Sequence, residues 1–166
     1  MRLYLIRHSI PDDDGTIPHS DPGYDPPLTD DGREYAANLA KWMLETGEIP
    51  NYLYASPKLR TQETAEIIRE ALGLPEVVLK GSISSNMSIK KLVEKVAGDK
   101  GQTRVAMVSH HETIAHGLRV LNLDPDPHLD MFAQCELRIL KVDRKKFTWR
   151  EHLRLVPSEL GGTDNY

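Results

Sequence analysis

A chain of 166 residues with 39% apolar side chains and 11 glycines has the size of one domain and enough apolar material for a core. Twenty-five acids against 21 bases leave a formal net charge of −4, which argues against a nucleic-acid partner, and no apolar run approaches the ~18 residues of a membrane span. A single cysteine, Cys135, excludes an internal disulfide framework and a cysteine-rich zinc site, and it reads as an inert strand residue in a reducing, cytoplasmic protein.

Leu3 to Ile6 is a short apolar run without polar alternation, the pattern of a strand buried on both faces. A loop from Ile10 to Leu28 follows, with five prolines, and a loop of that length inside one domain is functional or mobile. Residues 12–34 hold eight acids opposed by Arg33 alone, which reads as a solvated face. Thr29 caps a helix that Gly47 closes, with Ala36, Leu39, Ala40, Met43 and Leu44 on its buried face. Tyr52–Ala55 is a second strand. It runs into Ser56-Pro57, read as an N-cap and first helical position, and that helix buries Ala65, Ile68 and Leu72 before Gly73. Glu76–Leu79 is a third strand, and a helix runs from Ser88 through Leu92, Val93 and Val96 to Gly98. Arg104–Val108 is a fourth strand, and the helix after it contains Ile114, Leu118 and Leu121. The basic stretch 138–154 lies in a tail, Glu136 to Leu155, that alternates through Phe147, Trp149, Leu153 and Leu155 as a hairpin around Asp143–Lys146. Alternating strand and helix imply an α/β fold, a three-layer sandwich with a mainly parallel central sheet flanked by helices and a C-terminal antiparallel hairpin. Residues 1–156 form one catalytic domain and 157–166 a tail.

In open sheets of this kind ligands gather beyond the carboxyl ends of the strands. The residues there are Arg7, His8 and Ser9, then Ser56 to Arg60, then Ser109, His110 and His111. Arginines and histidines converging on one crevice suit an anion, because the guanidinium fork matches phosphate or carboxylate. An imidazole is a competent nucleophile toward phosphorus near neutral pH, and a transferring phosphoryl group needs mostly positioning and cationic stabilisation. His8 is therefore assigned as nucleophile, its other ring nitrogen held by a backbone carbonyl. Arg7, Arg60 and His110 hold the oxygens, Ser9, Ser109 and His111 are substrate-binding candidates, and no metal or other cofactor is expected.

Ile6-Arg7-His8-Ser9 resembles the Arg-His-Gly motif of the histidine phosphatase superfamily, which includes phosphoglycerate mutases and phosphohistidine phosphatases. Leu28-Thr29-Asp30-Asp31-Gly32 is similar to its Leu-Thr-x-x-Gly helix start, and Ser56-Pro57-Lys58-Leu59-Arg60-Thr61-Gln62-Glu63-Thr64-Ala65 to its Ser-Pro-x-x-Arg-x-x-x-Thr-Ala segment. Val108-Ser109-His110 with Thr113-Ile114 resembles its second-histidine motif. By that resemblance the fold is phosphoglycerate mutase-like, His8 is the phosphorylated residue, Arg7 and Arg60 bind phosphate, and His110 completes the pocket. The implied activity is hydrolysis of a phosphomonoester or phosphohistidine, on a small phosphorylated substrate or a phosphohistidine protein. Three departures stand out. Ser9 replaces the usual glycine, Asp12-Asp13-Asp14 occupies the place of the mutases' asparagine, and Lys80–Met87 lacks the family's acidic proton donor. Glu112 is the stand-in donor, ahead of the Asp12–Asp14 run. The loops Ile10–Leu28 and Lys80–Met87 are expected to line the mouth. The alternatives are a phosphoglycerate-type mutase and a phosphate-binding module without catalysis. A zinc protease is excluded because His111 and His116 are five apart rather than four, which adds ~100° of helix rotation to their divergence.

Overall fold

An apolar run such as Leu3 to Ile6 needs cover on both sides, and the first strand, β1 (Arg2–Arg7), lies inside the sheet with all four of those residues buried. The computed structural model describes residues 1–84, 103–120, 132–143 and 148–166. Its elements continue with α1 (Asp30–Glu45), β2 (Tyr52–Ala55), α2 (Leu59–Leu72), β3 (Val77–Leu79), β4 (Arg104–Ser109), α3 (His111–Val120), β5 (Leu137–Asp143) and β6 (Thr148–Leu155). Single turns of 3-10 helix occupy Gly81–Ser84 and Pro157–Leu160. The strands form one sheet in the order β3-β2-β4-β1-β5-β6. The first four are mutually parallel, and β5 and β6 run antiparallel at one edge. This is the α/β fold with a C-terminal hairpin that the alternation of patterns implies. The helix expected over Ser88–Gly98, and with it Leu121, Phe147 and the Trp149 side chain, lies outside the described residues.

The pleat sorts the core into two halves. Tyr4 and Ile6 join Leu53, Ala55, Ala106 and Val108 beneath α1 and α2. Leu3 and Leu5 join Tyr54, Val105 and Met107 on the other side, against Ile114 and Leu118 of α3. Full burial of one such leucine stabilises by roughly 1.5–3 kcal/mol, so both halves are needed to hold the central strands in register. Leu153 packs half-buried and Leu155 fully buried on the first half, which is how the hairpin joins the core.

Four boundaries and orientations differ from the sequence reading. Leu44 is 51% exposed: it sits past Met43 in the last turn of α1, off the stripe made by Ala36, Leu39, Ala40 and Met43. α2 begins at Leu59 with Lys58 as its extended cap, not at Ser56-Pro57. The Ser56 hydroxyl is engaged elsewhere, and the Thr61 hydroxyl donates to the Ser56 carbonyl at 2.7 Å, tying the turn down in place of a side-chain cap. β3 starts one residue late, at Val77. Cys135 is not on a strand but in the turn before β5, with φ 65°, and burial pushes its thiol up to about 12.

The start of α1 behaves as its sequence implies. Thr29 Oγ1 accepts from Gly32 N at 2.9 Å. A Cβ on Gly32 would stand 2.5 Å from the Ile10 carbonyl oxygen, so glycine is what lets the chain leaving β1 pass over the helix end. At the other terminus the tail returns to α1, with Thr163 N donating to Tyr35 Oη at 2.7 Å and Gln134 N to the Asn165 carbonyl at 2.7 Å. No described helix is long and apolar enough to cross a membrane.

Candidate active site

Because β1, β4 and β2 are parallel neighbours, their carboxyl ends open on one edge of the sheet. β1 delivers Arg7 and His8, β4 delivers His110 from the middle, and β2 leads through Ser56 to Arg60 in the first turn of α2. These side chains meet at a cleft of about 510 Å³, with Arg7, His8, Arg60 and His110 in its lining. One wall comes from α3 through His111, Glu112 and Thr113; the other comes from the loop after β1 through Ile10, Pro11, Asp13, His19 and Tyr24.

The hydrogen bonds fix both imidazole tautomers. His8 Nδ1 lies 2.8 Å from the Ser9 carbonyl, which can only accept, so Nδ1 carries the proton. The lone pair is on Nε2, which accepts from Arg60 Nε at 3.2 Å. His110 Nδ1 stands 3.4 Å from Arg60 Nη2, a donor, so His110 holds its proton on Nε2 and directs it at Ser56 Oγ, 2.9 Å away. The two rings sit edge to face with centroids 5.3 Å apart. One guanidinium therefore spans the two histidines, and a nucleophilic nitrogen faces the cleft.

Two guanidinium N–H groups are buried without a hydrogen-bond partner among the described residues, Arg7 Nε and Arg60 Nη1. Buried donors left unpaired cost on the order of 1–3 kcal/mol each, which an oxyanion in the cleft would recover. Arg60 Nη1 is 3.9 Å from Asp25 Oδ1, and its guanidinium carbon stands 5.5 Å from the centre of the Tyr24 ring. Arg7 is anchored from behind, its Nη1 donating to the Phe132 carbonyl. That segment is held by a buried charge cluster. Glu136 is fully buried, with Oε1 accepting from Arg138 Nε at 2.7 Å and Arg154 Nε at 2.9 Å, and Oε2 from Ala133 N at 2.8 Å.

Of the residues singled out in the sequence, Arg7, His8, Arg60, His110, His111 and Glu112 come to this one cleft. His111 also accepts from Phe132 N through Nδ1 at 3.3 Å. The side chains of Ser9 and Ser109 do not line it. Ser9 contributes backbone, its carbonyl to His8 and its N–H to Thr64 Oγ1 at 3.1 Å, while its hydroxyl is buried beside Cys135. Ser109 donates to the Ile83 carbonyl at 2.7 Å, on the far side of the pleat from the cleft. The loop after β1 lines the mouth as expected, but none of Lys80–Ser84 does, and Ser85, Asn86 and Met87 lie outside the described residues. Sequence reasoning missed Lys58, Tyr24 and His19 as wall residues. The length of the loop after β1 was the one available signal for the last two.

Burial, then Arg60, His110 and Arg7, keeps the His8 pKa well below the usual 6.5, outweighing the opposing pull of the Ser9 carbonyl. Burial and then Arg60 push His110 down to about 4. Burial also lowers Arg7. Both shifts favour the neutral imidazoles at pH 7. An unfolded chain takes up the His110 proton near 6.5 and the folded one only near 4, so the stability His110 contributes is complete above 6.5 and lost as pH falls toward 4. At 1.36 kcal/mol per pH unit the loss is roughly 3 kcal/mol. His110→Asn should remove it: denaturant unfolding from pH 7 to 4 is expected to show a shallower decline for the variant than for the native chain. Parallel curves would contradict the buried neutral assignment.

Residues 3–82 match the family model for the histidine phosphatase superfamily, branch 1. No curated protein sequence matches the chain. Among solved structures, the protein histidine phosphatase SixA complexed with tungstate superposes with a TM-score of 0.77 at 20% identity, covering 96% of this chain and 99% of that one. The SixA protein of Agrobacterium tumefaciens gives 0.74 at 19% identity, covering 94% and 97%. A mycobacterial glucosyl-3-phosphoglycerate phosphatase complexed with VO3 gives 0.72 at 17% identity, covering 92% and 97%. At these identities the likeness to each structure is one of fold.

Proposed function

We propose that the chain, whose residues 3–82 match the histidine phosphatase superfamily, branch 1, is a metal-independent phosphatase of that superfamily that hydrolyses a phosphomonoester or a phosphohistidine through a covalent intermediate on His8. The observation that carries this reading is the His8 Nε2 lone pair, directed by the Ser9 carbonyl and surrounded by Arg7, Arg60 and His110 in one cleft. The phosphoryl oxygens take the unpaired N–H groups of Arg7 and Arg60. Nε2 attacks phosphorus, the N–P bond forms and the bond from phosphorus to the leaving group breaks. The carboxylic acid form of Glu112, exposed on the α3 wall, gives its proton to the leaving oxygen of an ester or the leaving imidazole nitrogen of a phosphohistidine. Water then attacks phosphorus, its proton passes to the Glu112 carboxylate, and the N–P electron pair returns to Nε2. Inorganic phosphate leaves a neutral His8. The same proposal places the protein in the cytoplasm, with Cys135 a buried thiol.

An aryl phosphate incubated with the protein and a chelator should be hydrolysed, and a phosphohistidine peptide should be dephosphorylated. Uptake of vanadate without any turnover would instead mark a binding module, and interconversion of phosphoglycerates with a bisphosphate primer a mutase. Glu112→Gln separates the donor role from mere proximity. An alkyl phosphate, whose alkoxide needs a proton, is expected to lose ~10²-fold or more in kcat, while para-nitrophenyl phosphate loses little. Equal losses on both substrates would remove Glu112 from the mechanism.

A further inference from the structure

Thr64 lies on the buried stripe of α2 with Thr61, Ala65, Ile68 and Leu72, and it is fully buried. A β-branched residue is a mediocre helix former, and a buried hydroxyl needs partners to offset its lost hydration. One turn earlier, Thr61 commits its hydroxyl within its own turn, to the Ser56 and Lys58 carbonyls at 2.7 and 2.5 Å. Thr64 reaches further. Its Oγ1 donates to the Arg60 carbonyl at 2.7 Å, the usual bond of a helical threonine to the residue four back, and it also accepts from Ser9 N, 55 residues away, at 3.1 Å. Four hydrogen bonds thereby close a ring with one sense of donation. His8 Nδ1 donates to the Ser9 carbonyl at 2.8 Å, Ser9 N to Thr64 Oγ1, Thr64 Oγ1 to the Arg60 carbonyl, and Arg60 Nε to His8 Nε2 at 3.2 Å.

We infer that Thr64 is a positioning residue for transfer of a phosphoryl group to His8, setting where Nε2 stands relative to the Arg60 guanidinium. Two other ties on the His8 backbone run elsewhere: His8 N donates to the Ser109 carbonyl at 2.9 Å, and the His8 carbonyl accepts from Cys135 N at 3.2 Å. Thr64 supplies the tie to α2, the helix that carries Arg60, and it does so from outside the lining of the cleft. In the ring, Arg60 Nε donates to the Nε2 lone pair. A phosphoryl group engages both at once, its phosphorus at Nε2 and an oxygen at the guanidinium. The direct contact between His8 and Arg60 therefore opens during the reaction, and the bonds through Thr64 keep the two groups in register while it is open. Register matters because a misplacement of about 1 Å costs ~10²-fold in rate. The inference rests on the phosphatase reading for the reaction; its own content is the bridge.

Thr64→Val keeps the volume and removes both bonds, whereas Thr64→Ser keeps both and removes a methyl. In the valine variant a carbon replaces Oγ1 and needs about 3.5 Å or more from its neighbour. The Ser9 amide, now at 3.1 Å, must retreat by a few tenths of an ångström and carries His8 with it. With an aryl phosphate, kcat and kcat/KM of Thr64→Val should fall together by ~10-fold or more while KM stays within ~2-fold, the mark of an interaction felt in the transition state. Thr64→Ser should stay within ~3-fold of the native chain. A second readout needs no turnover. Exchange of the Arg60 Nε proton with water, followed by NMR on protein labelled with 15N-arginine, should be ~10-fold or more faster in Thr64→Val than in the native chain or Thr64→Ser. A threonine that only fills space would lower Tm and leave both readouts native wherever the variant is folded. If Thr64→Val does not fold, Thr64→Cys, a weaker donor and acceptor, takes its place with the same expected direction. A native value of either readout in the folded variant, or equal losses in Thr64→Ser, would overturn the proposal. Should the native chain hydrolyse no aryl phosphate, the phosphatase reading falls, and the exchange rates alone decide whether Thr64 registers His8 to Arg60.

Discussion

Replacing His8 with alanine is expected to abolish turnover of an aryl phosphate, by ~10⁴-fold or more, while leaving anion binding measurable. The asymmetry follows from the division of labour in the cleft. The floor donors, Arg7 Nε and Arg60 Nη1, come from other side chains and remain. The Nε2 lone pair that the Ser9 carbonyl directs into the cleft is lost. Removal of a nucleophile that works as part of a unit costs ~10⁴–10⁶ in the well-studied hydrolases, since no other group can make the bond. Brief incubation of the native protein with labelled substrate should leave phosphate on His8 that survives alkali and is lost in acid, and the variant should carry none. The pH dependence adds a second check. Protonation of Nε2 would stop attack, but burial and the neighbouring cations hold that pKa well below 6.5. The acid limb of kcat/KM, corrected for ionisation of the substrate phosphate, should therefore lie below 6.5 rather than at it. Label on a residue other than His8, or an acid limb at or above 6.5, would defeat the nucleophile assignment.

The legible part of this molecule is the part written in short-range pattern. Leu3–Ile6 announces a central strand because four apolar residues in a row need two covered faces, and His8 is found because it stands where that strand stops. His110 and Arg60 are found by the same rule applied to β4 and β2. Direction of side chains was less legible. Ser109 follows its strand as His110 does, yet one residue is half a pleat period, and its hydroxyl goes to Ile83 on the opposite side. Ser56 carries the composition of a helix cap but is drawn to His110 instead, a contact between residues 54 apart that no local pattern encodes. Tyr24 and His19 were hidden for a different reason. Their loop has no periodicity, and their place in the wall depends on Asp13, Lys58 and Arg60 meeting them in space. Glu136 was hidden most completely, since an acid between turn and strand looks solvated until the hairpin folds over it.

Glu136→Ala is expected to be the most destabilising single substitution outside the apolar core, at ~3–5 kcal/mol, because it removes the nearer of two carboxylates that pair with the buried Arg138 guanidinium, the other being Glu151 at 3.5 Å, and leaves the buried Ala133 N–H without its acceptor. Arg138 is 2% exposed at its side chain and lies over the Phe132 ring at 4.0 Å; Arg154, 35% exposed, can be hydrated once released. In a domain of this size the loss corresponds to a fall in Tm of roughly 6–20 °C. The consequence should reach the cleft as well. The Phe132 carbonyl holds Arg7, the Phe132 N–H holds His111, and the Ala133 N–H is bonded to the Glu136 carboxylate itself. Freed of that carboxylate, the segment no longer fixes Arg7, so KM for a phosphate ester should rise even under conditions where the variant is folded. A double substitution separates the two effects. Glu136→Leu with Arg138→Met replaces the buried pair by apolar groups of similar volume, which elsewhere is neutral or stabilising, and it should recover most of the lost stability. It does not restore the acceptor for Ala133 N, so the elevated KM should persist. Thermal unfolding of the single variant within about 1 kcal/mol of the native chain would show that the cluster is hydrated in solution and that Arg7 is held by the fold without it.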